Sequence, residues 1–293
     1  MNAFIFPGQG SQKVGMGHSL YESFQNAQAL FTQANEILGY DLATLCFEGP
    51  GEDLTDTRHA QPALLTVGVL CYQQALAKGL TGQMMAGHSL GEYTALVAAG
   101  VLKFEDALRL VQRRAELMAA APAGAMAALI GLPDERLQEV LATASETGEV
   151  VAANDNAPGQ VVVSGRPDAV EAAMREAKAS GAKMAVKLPV SGAFHSPLMA
   201  AAGAEMAELI AAAPFQDAEV PIYQNTTARP ATAAGDLKSA LQAQMTGRVR
   251  WTETIRAMIA DGAAQFYELG PGNVLAGLLK RIDKSVAIDN LDC

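Results

Sequence analysis

MMAGHSLGEYTALVAAG, residues 84–100, is the most informative segment of the chain. A short apolar run leads into a G-x-S-x-G sequence at 87–91, and an alanine-rich apolar segment follows it. This pattern is typical of a strained strand-to-helix turn that exposes a serine hydroxyl and leaves no room for flanking side chains. The pattern is common by chance, and a glycine-rich turn with a capping serine is the alternative, but this context favours catalysis. The segment therefore predicts an α/β fold with Ser89 as the nucleophile.

The neighbouring segments continue the alternation of strands and helices. Residues 3–6 form an apolar run that stops at a Pro-Gly pair, which predicts a buried strand entering a tight loop. Apolar residues at helical spacing predict amphipathic helices over 21–37 and 104–120. Another helix is predicted to open at Pro62, since proline is favoured at the first helical position.

The middle of the chain has a different pattern. Between 123 and 191, apolar runs and amphipathic segments follow each other in the order βαββαβ, which is the ferredoxin-like arrangement. We therefore expect a small ferredoxin-like domain at 123–191, inserted into a larger α/β domain formed by 1–122 and 192–293. After the insertion, Ser196 as N-cap and Pro197 at the first position predict the start of another helix.

Composition and charge exclude several classes of protein. The 293 residues carry a formal net charge of −10, so no basic surface for nucleic acid is expected. No uncharged apolar run approaches about 18 residues, so no membrane span is expected. The N-terminus lacks the regions of a signal peptide, and the three cysteines have no metal-ligand spacing. We expect a soluble, cytoplasmic protein without a metal site.

A serine nucleophile needs a base, and the chain has four histidines. His18 lies in a glycine-rich stretch, and His59 could cap a helix. His88 adjoins Ser89, but neighbours on a tight turn point apart. His195 lies in a loop between a predicted strand and a predicted helix, where catalytic groups are often presented. Elimination favours His195 as the base, and a loop histidine without a catalytic role is the alternative.

No acidic residue stands out as the partner of this histidine. Asp155 lies in a polar loop, and Asp168 and Glu171 lie near the start of a predicted helix. A backbone carbonyl could orient the imidazole equally well, so a missing acid does not exclude the assignment.

Arg114 is the residue most informative about the substrate. It lies in the apolar stripe of the helix 104–120 with Val111 and Met118, whereas Arg113 lies on the polar flank. Burying a guanidinium is costly unless an anion meets it. An internal salt bridge is one explanation. The other is a substrate carboxylate held by two hydrogen bonds, a geometry that lysine cannot copy.

A second glycine-rich loop follows the first predicted strand, with the sequence FPGQGSQ at 6–12. It lacks the Lys-Ser/Thr pair of a phosphate-binding loop. It is either a simple tight turn or a site where Gln9, through its side chain or backbone, approaches an oxyanion.

The chain resembles the malonyl-CoA:acyl carrier protein transacylases in motifs spread over nearly its whole length. The motifs are FPGQGSQ at 6–12, GHSLGEY at 87–93, QRRAELM at 112–118, GAFHS at 192–196 and ELGPGNVL at 268–275. They occur in the family's order and spacing, and together they are highly specific. The resemblance implies an α/β-hydrolase-like large domain with a parallel sheet and the inserted ferredoxin-like small domain.

The resemblance also implies roles for individual residues. Ser89 resembles the nucleophile that forms a malonyl ester, and His195 resembles the base that activates first this serine and then the incoming thiol. Gln9 and the backbone N–H of Leu90 match the oxyanion hole. Arg114 matches the arginine that pairs with the free malonyl carboxylate.

Two further positions are implied near the base. Gln244 resembles the residue whose backbone carbonyl orients the histidine, although Gly247-Arg248 stand where many members have Asn-Pro. Phe194 resembles malonyl-selective members, because a bulky ring would crowd an α-methyl branch. One such apolar contact discriminates by about 1–3 kcal/mol.

The implied function is transfer of the malonyl group from malonyl-CoA to an acyl carrier protein for fatty acid synthesis, by a monomer without metal or cofactor. The alternatives are a polyketide synthase acyltransferase, a malonate decarboxylase subunit, a serine hydrolase and a non-enzymatic module that binds coenzyme A thioesters. Because an acidic carrier protein must dock on a net acidic chain, a local basic patch is expected. Its candidates are Lys183, Lys187, Arg248, Arg250, Lys280 and Arg281.

Overall fold

The computed structural model describes residues 1–190 and 192–292. In these ranges the strands are β1 (Asn2–Phe6), β2 (Met84–Gly87), β3 (Ala125–Ile130), β4 (Val150–Ala157), β5 (Gln160–Gly165), β6 (Met184–Lys187), β7 (Ile222–Tyr223), β8 (Pro230–Ala231), β9 (Gln265–Leu269) and β10 (Ala287–Leu291). The helices are α1 (His18–Ser23), α2 (Gln25–Leu38), α3 (Leu42–Glu48), α4 (Gly51–Thr55), α5 (Thr57–Ala77), α6 (Gly91–Ala98), α7 (Phe104–Ala120), α8 (Leu137–Ser145), α9 (Pro167–Ala179), α10 (Ala200–Ala212), α11 (Ala234–Gln244), α12 (Trp251–Ala260) and α13 (Val274–Ile282). Short 3₁₀ turns lie at Asp134–Arg136 and Pro197–Met199. Over this part of the chain, no helix combines the length and the hydropathy needed to cross a membrane.

The larger sheet has the strand order β10-β9-β1-β2-β7-β8, and every pair is parallel except β7 with β8. Both faces of this sheet are covered by helices. Alternate residues of β1 therefore pack into two different apolar cores. Phe4 and Phe6 pack into the core that contains α2, α5 and α7. Ala3 and Ile5 pack into the core on the other face, with Trp251 of α12. The predicted α/β class is confirmed.

The smaller sheet has the order β4-β5-β3-β6 and is antiparallel throughout. With α8 and α9 it gives the predicted βαββαβ succession, and its strands and helices lie within the segment 123–191. Its core is a separate apolar cluster that includes Leu129, Val140, Val163 and Val170. The edge strand β6 is largely exposed.

A backbone contact joins the small domain to the large one near the site described below. Asn154 on β4 forms a parallel bridge with Val249, the Asp155 N–H donates to the Val249 carbonyl at 2.8 Å, and the Val249 N–H donates to the Ala153 carbonyl at 2.8 Å. Asp155 also forms an ion pair with Arg248 at 3.0 Å. The segment Gln244–Arg250 is therefore fastened to the small domain.

Three local predictions differ from the structure. The helix predicted to open at Pro62 begins at Thr57, because the Asp56 side chain caps it by accepting the Arg58 N–H at 2.9 Å. The helix predicted over 21–37 is broken at Phe24, whose backbone is extended. Ser196 precedes a 3₁₀ turn rather than capping an α-helix, because its hydroxyl donates to the Ala193 carbonyl at 2.6 Å.

Candidate active site

Ser89 lies on a sharp turn between β2 and α6, as the G-x-S-x-G pattern predicts. Its φ of 51° is in the left-handed region, which is strained for a residue with a side chain. The flanking glycines are required by close approach of backbone atoms. A Cβ on Gly87 would lie 1.9 Å from the Gly91 carbonyl carbon, and one on Gly91 would lie 2.1 Å from the Phe6 oxygen.

Asn225 holds this turn from the neighbouring strand, and sequence reasoning missed it. It follows β7, its side chain is fully buried, and its Oδ1 accepts the Ser89 N–H at 2.7 Å. Its Nδ2 donates to the Gly87 carbonyl at 2.6 Å. One amide therefore satisfies backbone groups on both sides of His88. The available signal was a polar residue at the carboxyl end of a parallel strand, which is where such folds place functional groups.

Replacing Asn225 with alanine should lower both activity and stability. Asn225→Ala leaves the Ser89 N–H and the Gly87 carbonyl buried without partners, at a cost of about 1–3 kcal/mol each. We expect acylation of Ser89 to slow by about 100-fold, since small displacements of a nucleophile are costly. Stopped-flow acylation and thermal unfolding would measure the two effects. Asn290→Ala, which removes hydrogen bonds to the Gly272 carbonyl and to Glu268, is the control. If Asn225→Ala were acylated at the wild-type rate, the role of Asn225 in holding the Ser89 turn would be refuted.

His195 is placed beside Ser89 by the loop between β6 and α10. The Ser89 hydroxyl donates to His195 Nε2 at 2.7 Å, and His195 is only 4% exposed. Its Nδ1 lies 3.0 Å from the Gln244 carbonyl and 3.2 Å from the Gly247 carbonyl. Because carbonyls only accept, Nδ1 carries the proton and Nε2 is free to take one from the serine. Two backbone carbonyls thus occupy the place of a triad acid.

The environment keeps this imidazole neutral. Burial lowers the pKa of His195 to about 3, and the nearby Arg114 guanidinium acts in the same direction. The His195 φ of 56° is also left-handed, so both members of the Ser-His pair have strained backbones. A neutral imidazole at physiological pH can accept the Ser89 proton.

The other histidines and acids lie elsewhere. His88 Nε2 lies 2.8 Å from Asn156 Oδ1, and its ring packs on Trp251, so it joins the turn to the small domain. His18 is exposed, and His59 is partly exposed with its Nδ1 2.9 Å from the Asp53 carbonyl oxygen. The three acids that could have served as triad partners form ion pairs with basic residues instead: Asp155 with Arg248, Asp168 with Arg166 and Glu171 with Lys187.

Arg114 is buried, 1% exposed, on the face of α7 that points to the nucleophile. Its Nη2 donates to Ser89 Oγ at 3.1 Å and to Gln244 Oε1 at 3.1 Å, and its Nη1 donates to Gln61 Oε1 at 2.5 Å. Its Nε has no hydrogen-bond partner among the described residues, and within the same ranges no carboxylate oxygen lies within 4.0 Å of its nitrogens. The internal salt bridge considered as an alternative is therefore not observed.

The two backbone segments that are predicted to form the oxyanion hole are in contact. A Cβ on Gly8 would lie 2.3 Å from the His88 carbonyl oxygen, so the loop that carries Gln9 packs directly on the turn. Leu90 is buried next to Ser89, just before α6. The Gln9 side chain donates to the Thr57 hydroxyl at 3.1 Å. The backbone N–H groups of Gln9 and Leu90 have no acceptor within residues 1–190 and 192–292.

Gln244 and Phe194 complete the predicted set. The Gln244 carbonyl accepts from His195, and its side chain also enters the site, which the sequence did not indicate. Phe194, the residue before His195, is buried in the apolar core that contains α2, α5 and α7. Its ring fills the space at Gly192, since a Cβ there would lie 2.3 Å from the ring. The effect of Phe194 on α-branched substrates stays a prediction.

A cavity of about 210 Å³ lies between the two sheets and reaches His88, the residue that precedes Ser89. Gln9 and His88 line one side of it, Asn156 and Gln160 of the small domain line another, and Leu278 of α13 closes it. A narrow cleft with apolar walls and several amide groups suits an elongated substrate with amide bonds.

A buried cation that touches the hydroxyl of an activated serine favours an acyl group with its own negative charge. The chemistry is that of a serine acyltransferase.

Comparisons with known proteins identify the family. Residues 3–289 match the acyl transferase domain family. A malonyl CoA-acyl carrier protein transacylase of Bacillus subtilis (strain 168) is 46% identical over 295 residues, which cover 98% of this chain and 93% of the relative. This chain belongs to the malonyl-CoA:acyl carrier protein transacylase family, and the resemblance seen in the motifs is confirmed.

Solved structures agree with this assignment. An acyl carrier protein S-malonyltransferase from Vibrio cholerae has a TM-score of 0.95 at 43% identity, covering 99% of this chain and 96% of that one. A malonyl-transacylase in complex with a type II polyketide synthase acyl carrier protein has a TM-score of 0.96 at 39% identity, with coverage of 99% and 96%. Both solved chains match this one almost end to end.

Proposed function

We propose that this chain transfers the malonyl group from malonyl-CoA to the phosphopantetheine thiol of an acyl carrier protein through a malonyl-Ser89 ester. The observation that carries the proposal is the Arg114 guanidinium, which is buried, bonded to Ser89 Oγ at 3.1 Å and otherwise held by neutral groups. A malonyl carboxylate supplies the missing anion and places its thioester carbonyl at the serine.

The first half-reaction forms the ester. His195 Nε2 takes the proton of Ser89 Oγ, and the oxygen attacks the thioester carbonyl carbon. The N–H groups of Gln9 and Leu90 stabilise the tetrahedral oxyanion. The carbon–sulfur bond then breaks, and the coenzyme A thiolate takes the proton from His195.

The second half-reaction reverses these roles. The carrier protein thiol gives its proton to His195, and its sulfur attacks the ester carbonyl. The bond between carbon and Ser89 Oγ breaks, and the serine recovers the proton. Arg114 holds the malonyl carboxylate through both halves. The thioester is already activated and the Ser-His pair moves the protons, so the proposal requires no metal and no further cofactor.

The cleft between the domains is proposed to hold the pantetheine arm in both half-reactions. Gln9 and His88 line it next to Ser89, and amide groups such as those of Asn156 and Gln160 suit the amide bonds of the arm. The proposal also retains the expectation of a cytoplasmic monomer, which cell fractionation and sedimentation velocity would test.

The second candidate is service to a polyketide synthase, because one structural neighbour is a malonyl-transacylase solved with a type II polyketide synthase carrier protein. The chemistry is the same, so only the carrier protein distinguishes the two. Transfer rates from the malonyl-enzyme to purified carrier proteins of both kinds would decide between them. Free malonate that accumulates faster than malonyl carrier protein would instead indicate a hydrolase.

Charge reversal should locate the carrier-protein surface. Of the six basic candidates, Arg248, Arg250 and Lys187 lie near carboxylates. Lys183, Lys280 and Arg281 form no ion pair with any described residue. Lys280 and Arg281 lie at the end of α13, where Arg281 also donates to Gln160 at the cleft. We therefore place docking of the acidic carrier at the end of α13.

The variant Lys280→Glu/Arg281→Glu is expected to raise the KM for the carrier protein about 10-fold or more, with an effect that shrinks as salt increases. The KM for the carrier protein can be measured in the second half-reaction alone, which is started from isolated malonyl-enzyme and contains no malonyl-CoA. Lys78→Glu/Lys103→Glu, which reverses two exposed lysines elsewhere, is the control. An unchanged KM in the first variant would place docking elsewhere.

A further inference from the structure

Glu92 is a buried carboxylate that the mechanism above does not use. It lies in the first turn of α6, directly behind the nucleophile, and is 2% exposed. Its Oε2 accepts a hydrogen bond from Gln244 Nε2 at 2.7 Å. Burial raises the pKa of Glu92 to about 7, while hydrogen bonds from the Gln244 side chain and the Asn225 backbone N–H, and the positive charge of Arg114, oppose this shift. Burying a carboxylate costs free energy of folding, so the presence of Glu92 beside the nucleophile requires an explanation.

Gln244 connects Glu92 to every group of the Ser-His-Arg set. Besides its bond to Glu92, Nε2 donates to the Ser89 carbonyl at 3.0 Å. Oε1 accepts from Arg114 Nη2 at 3.1 Å. The Gln244 backbone carbonyl accepts from His195 Nδ1 at 3.0 Å. One residue thus contacts the nucleophile segment, the base and the guanidinium.

The carboxylate of Glu92 acts together with the Ser89 carbonyl and Arg114 to fix which way the Gln244 amide points. An amide has a donor end and an acceptor end, and the two can exchange by rotation. The observed orientation places Nε2 against the Glu92 carboxylate and Oε1 against the Arg114 guanidinium. The opposite orientation would set NH₂ against guanidinium and oxygen against carboxylate, so both contacts would become repulsive.

We propose that Glu92 is a positioning residue for acyl transfer, which acts through the Gln244 side chain to fix the carbonyl acceptor of His195 and the orientation of Arg114. This inference rests on the proposed function, since it assigns how that site is held. The Gln244 amide lies between Glu92 and Arg114. The negative charge of Glu92 can therefore offset part of the buried positive charge of Arg114 without a direct hydrogen bond to the guanidinium. The guanidinium therefore stays available for a substrate carboxylate.

The test compares Glu92→Leu with Glu92→Gln in two assays. Leucine removes the acceptor, and glutamine keeps an oxygen for Gln244 Nε2. Inactivation by a serine-directed fluorophosphonate reports on Ser89 and His195 without any malonyl group. Acylation by malonyl-CoA and by acetyl-CoA reports in addition on Arg114.

For Glu92→Leu we expect fluorophosphonate inactivation to slow about 10-fold and malonyl acylation about 100-fold, with a reduced preference for malonyl-CoA over acetyl-CoA. Glu92→Gln should recover most of both rates. The inference would be overturned if Glu92→Leu and Glu92→Gln lost these rates to the same extent. Wild-type rates in a folded Glu92→Leu protein would overturn it as well. Glu268→Gln removes another buried carboxylate, one that caps α13, and should leave fluorophosphonate inactivation unchanged.

A second variant keeps the test decisive if Glu92→Leu does not fold. Gln244→Leu removes the amide but retains the backbone carbonyl that binds His195, and it should reproduce the loss of malonyl preference. The double variant Glu92→Leu/Gln244→Leu should then be no slower than the slower single variant, because both act in one path. If the rate losses of the two single variants were fully additive in the double variant, Glu92 would not act through Gln244. A wild-type protein that reacts with fluorophosphonate but is not malonylated would refute the proposed function while leaving this comparison valid.

Discussion

Ser89→Ala is expected to abolish the mass increment that malonyl-CoA leaves on the protein and to lower kcat by about 10⁵-fold or more. The reason is that the alanine variant retains Arg114 and His195 but has no oxygen to form the ester. Intact mass spectrometry after incubation with malonyl-CoA measures the increment directly.

Two comparisons make this experiment decisive. Ser180→Ala, at the residue that directly follows α9, should be labelled like the wild type. A malonyl increment that persists in Ser89→Ala would show that another group is the nucleophile. Wild-type protein that releases free malonate without a labelled intermediate would indicate hydrolysis.

Arg114→Ala should have the second largest effect, and it should be selective. Removing the guanidinium is expected to lower kcat/KM for malonyl-CoA by about 10³-fold, since breaking a desolvated charge pair costs about 2–5 kcal/mol. Acetyl-CoA has no carboxylate, so its kcat/KM should change far less. The ratio of the two values is the measurement, and it separates loss of carboxylate binding from general damage.

The neighbouring arginine provides a matched control. Arg113 is on the same helix but exposed, where it binds Glu205 and Glu116, so Arg113→Ala should leave the ratio unchanged. Arg114→Lys should not restore activity, because an ammonium cannot reproduce a two-point contact with a carboxylate. Equal labelling of the wild type by acetyl-CoA would mean that Arg114 does not select the substrate.

The sequence predicted those parts of the site that depend on local chain geometry. The turn at Ser89 is encoded by two glycines whose need is visible in the structure, and the small domain is encoded by its strand and helix periodicity. Arg114 was predicted from one polar position in an apolar stripe. In each case the signal lies within a single element.

The parts that were missed depend on contacts between distant segments. Asn225 reaches Ser89 from 136 positions away in the sequence, and Gln244 reaches Glu92 from 152 positions away. Nothing in the local pattern of either residue indicates which backbone or side chain it meets. The start of α5 was misplaced for another reason, because the cap at Asp56 outweighs the proline signal at Pro62.

The segment Gln244–Arg250 performs two tasks at once. Its carbonyls at Gln244 and Gly247 hold His195, and Val249 pairs with the backbone of β4. In thermodynamic terms, the seating of the small domain and the alignment of the base are linked quantities. The coupling free energy between the two has the same size in either direction. A ligand in the cleft that shifts the small domain is therefore expected to change the alignment of His195 as well, although the imidazole lies outside that cleft.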